Sequence, residues 1–61
     1  MKEIKISLEA ARVNAGYTQE QAASKLGISR ATIINWEKGR AIPGIPAMDK
    51  ISKLYKIPVD F

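Results

Sequence analysis

A guanidinium, a methyl, an amide and an ammonium recur at helical spacing in the stretch GISRATIINWEKGR, residues 27–40. With residues placed about 100° apart, Arg30, Ala31, Ile34, Asn35 and Lys38 fall within an arc of about 140°. Ile33 and Trp36 fall together on the other side, about 60° apart. One face can enter a core; the other carries polar chemistry. Arginine can donate two parallel hydrogen bonds to guanine O6 and N7, asparagine can pair with adenine N6 and N7, and the alanine methyl can touch thymine. Ile34 could do the same or pack against sugar, and Lys38, a turn further on, would meet a phosphate. The competing reading is a solvated face that happens to be mixed.

Such a face needs a rigid frame. Gly16, Gly27 and Gly39 each follow a helical stretch, where a left-handed residue stops a helix at little steric cost. Ser7, Thr18 and Ser29 stand at candidate helix starts. Thr18 with Gln21 three residues later has the form of a capping box. The predicted helices are 7–15, 18–26, 29–38 and 46–55, with Pro46 in the first turn of the fourth and Pro58 limiting its end. Residues 2–6, KEIKI, suit a short extended lead-in, and AIPGIPA a loop. Apolar stripes form from Leu8, Ala11 and Ala15, then Ala22, Ala23 and Leu26, then Met48, Ile51, Leu54 and Tyr55. Ile28 should plug the turn between helices two and three. Ile42 and Ile45 are expected to pack under helix four. Tyr55, Ile57, Val59 and Phe61 form an apolar tail expected to join the core.

The totals limit the chemistry. A chain of 61 residues makes one domain at most, here read as residues 1–61. It buries only about 60% of the surface its unfolded form exposes. With neither cysteine nor histidine, disulfides and the common zinc sites are excluded, and packing must suffice. The same absence removes the usual catalytic base and thiol nucleophile. The six carboxylates form no close acidic pair, so an enzyme is not expected, nor a metal or cofactor. Ten Lys plus Arg against six Asp plus Glu give a net charge of +4, which favours an anionic partner such as nucleic acid. The start MKEIKI does not read as a signal peptide. No apolar run approaches the roughly 20 residues that span a bilayer. The basic residues do not gather opposite one large apolar face, so a membrane-surface role is not expected either.

QEQAASKLGISRATIINWEK, residues 19–38, resembles the helix-turn-helix of the Cro/CI-type (XRE-like) phage repressors. Small Ala23 lies where that motif's helices touch, Gly27 is at its turn, and Ala22, Leu26, Ile28, Ile33 and Trp36 fall at its buried positions. The flanks YTQEQAASKLGIS and NWEKGR are also typical, and the resemblance covers roughly residues 6–61. It implies an all-α fold, a compact four- to five-helix bundle of the lambda-repressor-like DNA-binding type. It also implies a transcriptional regulator, a repressor that occupies its operator in the major groove. Arg30, Ala31 and Asn35 match base-reading positions. Gln19, Lys38 and Arg40 match positions that contact the DNA backbone, with Thr18 and Thr32 counted beside them, and Gln19 also braces the recognition helix. Arg12 falls on the apolar stripe of helix one, and Glu37 sits at a helix C-terminus that disfavours an anion. A mutual ion pair would resolve both, and the family commonly has one at these positions.

The implied partner is double-stranded DNA with a palindromic operator, bound by a homodimer in the cytoplasm of a bacterial cell or phage-infected host, at the nucleoid. The family usually continues into a fifth helix where this chain reaches Phe61. An alternative reading keeps the fold but makes it a protein-interaction module, an antitoxin or antirepressor domain using Ile34, Ile42 and Ile45 on a regulatory protein partner.

Overall fold

Short segments with a hydroxyl at the front and a glycine behind should form separate helices, and in a computed structural model, which describes residues 7–57, they do. Four helices follow in order: α1 Leu8–Asn14, α2 Gln19–Leu26, α3 Arg30–Glu37 and α4 Ile45–Tyr55. No strand occurs among the described residues. Ser7, Thr18 and Ser29 each accept a hydrogen bond from the backbone N–H three residues on, at 3.0, 3.0 and 3.2 Å. This answers an N–H that the first helical turn leaves without a partner. At α2 the bond is reciprocated, because the Gln21 side chain accepts from the Thr18 N–H at 2.9 Å. Gly27 ends α2 in the left-handed conformation, φ 73°, where a Cβ would be strained.

Helix α4 starts one residue ahead of its predicted boundary. Gly44 is its N-cap and offers no side chain, and Pro46 lies in the first turn. Its end was not readable from glycine, since Lys56 itself adopts the left-handed conformation, φ 57°. Pro58, Val59, Phe61 and the predicted lead-in 2–6 lie outside the described residues.

The core is small and built partly from alanine. Ala11, Ala22, Ala23, Ile33, Ile51 and Tyr55 are buried. Leu8, Ala15, Leu26, Ile28, Trp36, Met48, Leu54 and Ile57 pack around them. Both α1 and α2 pack on α3, with α2 the more closely applied. Ala22 and Ala23 allow this approach, since a larger side chain there would push the two helices apart. Beyond Trp36, an apolar groove of about 260 Å³ runs between Leu26, Ile28, Pro46 and Ala47, with Lys50 at its edge. Ile42 and Ile45 do not pack under α4, contrary to expectation: they are 88% and 66% exposed. The loop that carries Ile42 has no period to aim a side chain inward, and Ile45, the first residue of α4, sits on its outer side.

The Tyr17 and Tyr55 rings lie 6.4 Å apart, tilted by 31°. Burial pushes the Tyr55 phenol above the ordinary tyrosine value of 10.0; the nearby Glu37 charge adds to this and Arg12 opposes it. A raised folded pKa means that the unfolded chain ionises first. Stability is therefore complete below the ordinary tyrosine range and is lost as pH rises through the folded value. Thermal unfolding followed by circular dichroism from about pH 8 to about pH 11 should show this decline, and Tyr55→Phe should flatten it.

Candidate nucleic-acid interface

The site is organised from the inside by one ion pair. Arg12 lies on the inner side of α1, and Glu37 is the last residue of α3. Arg12 Nε donates to Glu37 Oε2 at 2.7 Å, and Nη2 donates to Oε1 at 3.4 Å. The remaining arm, Nη1, donates to the Tyr17 carbonyl at 2.8 Å. The side chains retain only 9% and 6% of their exposure. The hydrogen bond to Glu37 raises the Arg12 pKa further above its ordinary value, against the desolvation that would lower it. A planar fork thus ties α1, the α1–α2 turn and the end of α3 together.

A second link leaves the same carboxylate. Gln19, the first residue of α2, donates through Nε2 to Glu37 Oε1 at 3.1 Å. Its Oε1 accepts from Arg30 Nε at 3.4 Å. Arg30 is the first residue of α3, so Gln19 joins both ends of that helix. The resemblance assigns Gln19 a bracing role, but Glu37 as its partner was not foreseen: the contact depends on how α2 crosses α3, which no local spacing encodes. The Tyr17 carbonyl was missed for the same reason.

The outer side of α3 touches this network only through Arg30. Arg30 and Ala31 are exposed, Ile34 and Asn35 are half-buried, and Lys38 and Arg40 are exposed. Trp36 packs against the core cluster and Ile33 is within it. Ile34 is therefore not fully outside, although it does not join the core. The chain turns at Gly39, φ 76°. It folds back so that the Arg40 and Ala41 N–H groups both donate to the Asn35 carbonyl, at 2.9 and 3.4 Å. That holds Arg40 close to the end of α3, on the same stretch as Lys38. The Thr32 hydroxyl lies 2.9 Å from that of Ser29. The Thr18 hydroxyl oxygen is occupied as the cap of α2, which leaves its O–H free to donate outward.

At the front of α2 and α3 lies an open polar hollow of about 450 Å³, lined by Arg12, Thr18, Gln19 and Arg30, with Glu9 and Glu20 beside them. The start of α2 borders the same hollow through Thr18, Gln19 and Glu20, and a helix start favours an anion. The structure thus brings Thr18, Gln19 and Arg30 together at one end of α3, and Lys38 and Arg40 together at the other. Ala31 and Asn35 lie between. This spread of donors, with cations at both ends of a short exposed helix face, suits an extended polyanion better than a small one.

The helix-turn-helix family profile matches residues 8–61. The HTH-type transcriptional regulator ImmR of Bacillus subtilis is 39% identical over 54 residues, covering 88% of this chain and 42% of that protein. The HTH-type transcriptional activator BcrR of Enterococcus faecalis is 36% identical over 53 residues, 87% of this chain and 26% of that protein. The cryptic phage CTXphi transcriptional repressor RstR of Vibrio cholerae is 31% identical over 48 residues, 79% of this chain and 43% of that protein. The chain thus spans less than half the length of each of these relatives. No solved structure matches it.

Proposed function

We propose, from the premise that the chain belongs to the helix-turn-helix family, that it is a sequence-specific, double-stranded-DNA-binding transcriptional regulator, without enzymatic activity, acting in the cytoplasm. The single observation that carries this reading is the division of α3 into a packed side, Ile33 and Trp36, and an outer side bearing Arg30, Ala31, Asn35 and Lys38. In it α3 lies in the major groove. Thr18, Gln19, Thr32, Lys38 and Arg40, together with the free N–H groups at the start of α2, hold the sugar–phosphate backbone and fix the register. Arg30, Ala31 and Asn35 meet the base edges. A symmetric pair of chains would place two such helices about 34 Å apart, one turn of DNA, on a palindromic operator. Occupying that operator represses transcription by excluding polymerase, in the manner of a phage or prophage Cro/CI-type regulator.

Selection of bound duplexes from a random pool, repeated at two salt concentrations, tests the proposal. The expected product is a palindrome with half-sites about one helical turn apart. The logarithm of its affinity should fall linearly with the logarithm of salt concentration, and Lys38→Ala should weaken all duplexes alike and reduce that slope by about one. A pool that returns no consensus would reject sequence-specific binding. No measurable affinity for any duplex at low salt would favour the protein-interaction reading, which the exposed Ile42 and Ile45 support.

A further inference from the structure

Gly27 stops α2 and Pro46 lies in the first turn of α4. Where these two ends meet the reverse of α3, the packing is incomplete. Leu26, Ile28, Trp36 and Ala47 are half-buried and Pro46 is exposed, so the apolar groove between them stays in contact with water. The neighbouring loop does not cap it: Ile42 and Ile45 are exposed and neither lines it. A concave apolar surface left wet gains from any apolar group that displaces the water. Its volume of about 260 Å³ falls below the roughly 300–1,000 Å³ of small-molecule sites. That size suits the anchoring side chain of a longer segment whose remainder lies on the surface.

Charge narrows the choice of segment. One charged residue lines the groove, Lys50. It is exposed and, among the described residues, makes no ion pair. Its acidic neighbour does not neutralise it, because Asp49 pairs with Lys53, one turn on, at 3.1 Å. A neutral or basic segment seated there would strip water from the Lys50 ammonium without return, whereas a carboxylate beside the anchor answers it. A nucleic-acid backbone would also meet the lysine, but it has no apolar side chain to fill the space. We infer that the groove is a docking site for a short acidic, amphipathic segment of a partner protein, whose apolar anchor seats against Trp36 and whose carboxylate meets Lys50. Trp36 is on the packed side of α3, so the docked segment touches that helix from behind and leaves Arg30, Ala31 and Asn35 open.

The experiment pans a phage-displayed library of random peptides of about 12 residues, a little over three helical turns, against the whole chain. Recovered peptides that lack tryptophan are synthesised and titrated in solution, with the emission of Trp36, the one tryptophan of the chain, as the readout. The expected result is a consensus that pairs an apolar anchor with a nearby Asp or Glu, and a saturable change in emission. Ala47→Glu places a carboxylate in the groove, in the first turn of α4 where an anion suits the helix start. It should keep the helical circular dichroism and weaken the peptides about tenfold or more, since like charges then meet. If Ala47→Glu does not fold, Lys50→Glu on the exposed rim takes its place. Lys50→Ala should weaken them about two- to fivefold, the worth of a surface ion pair, and reduce the salt dependence of binding. Arg30→Ala, on the other side of α3, should change nothing. Failure to recover any peptide that moves the emission, or equal binding to Ala47→Glu, overturns the docking site. A purely apolar consensus indifferent to Lys50→Ala overturns the acidic partner. Self-association of the chain alone in sedimentation, abolished by Ala47→Glu, overturns it as well and gives the groove to a second copy.

Discussion

Glu37→Ala is expected to cost about 3–5 kcal/mol, enough to unfold much of the protein at growth temperature. The size follows from what the substitution leaves behind. Arg12 is 7% exposed, and its Nε and Nη2 would lose their acceptor inside the structure, with only the Tyr17 carbonyl still answering Nη1. Gln19 would lose its partner as well. An uncompensated buried charge is far more costly than the intact pair is stabilising. A domain of 61 residues has only about 3–9 kcal/mol in total, at the usual stability per residue. Urea unfolding followed by far-ultraviolet circular dichroism gives the measurement. Replacing both partners, Arg12→Met with Glu37→Leu, should restore most of the loss, because no charge is then stranded. If the single substitution costs less than about 1 kcal/mol, water reaches the guanidinium and the pair behaves as a surface one.

Arg30→Ala combined with Asn35→Ala should abolish operator preference while sparing the fold. Each substitution is expected to cost about 1–3 kcal/mol at the base it reads. If two chains bind a palindrome, each loss counts twice, so either change alone costs about 2–6 kcal/mol per operator, thirty-fold or more in affinity. Neither residue belongs to the core cluster, so thermal stability should move little. The measurement is a comparison of operator and non-operator duplexes at one salt concentration, where the ratio between them should collapse. Non-specific affinity should persist, since Lys38 and Arg40 remain to meet phosphate. An unaltered ratio would mean that the outer side of α3 is not the reading face.

The helix boundaries were legible because their chemistry is local. Ser7, Thr18 and Ser29 act on N–H groups three residues away, and the period of 3.6 residues separates Ile33 and Trp36 from Arg30 and Lys38 without knowledge of any other helix. The end of α4 falls at Tyr55 as predicted, although the stop is made by Lys56 in a left-handed conformation that a glycine would ordinarily signal. Ile42 and Ile45 were misjudged on composition, since an apolar side chain in a loop or at a helix start has no period to give it direction, and a small protein leaves many of them exposed. The site divides in the same way. Which residues share the outer side of α3 follows from its period. That Gln19 reaches both Glu37 and Arg30 depends on the crossing of α2 and α3, and appears only once the helices are packed.

Trp36 is the one tryptophan in the chain, and it packs on the reverse of α3, beside the groove bounded by Leu26, Ile28 and Pro46. The protein therefore carries a built-in optical probe at the joint between α3 and its support. Indole emission will report how firmly α3 is seated, without a label and without touching the surface that would meet a duplex. A shift in that signal on adding a duplex would mean that the helix moves on its bed; an unchanged spectrum would mean that it docks as a rigid body.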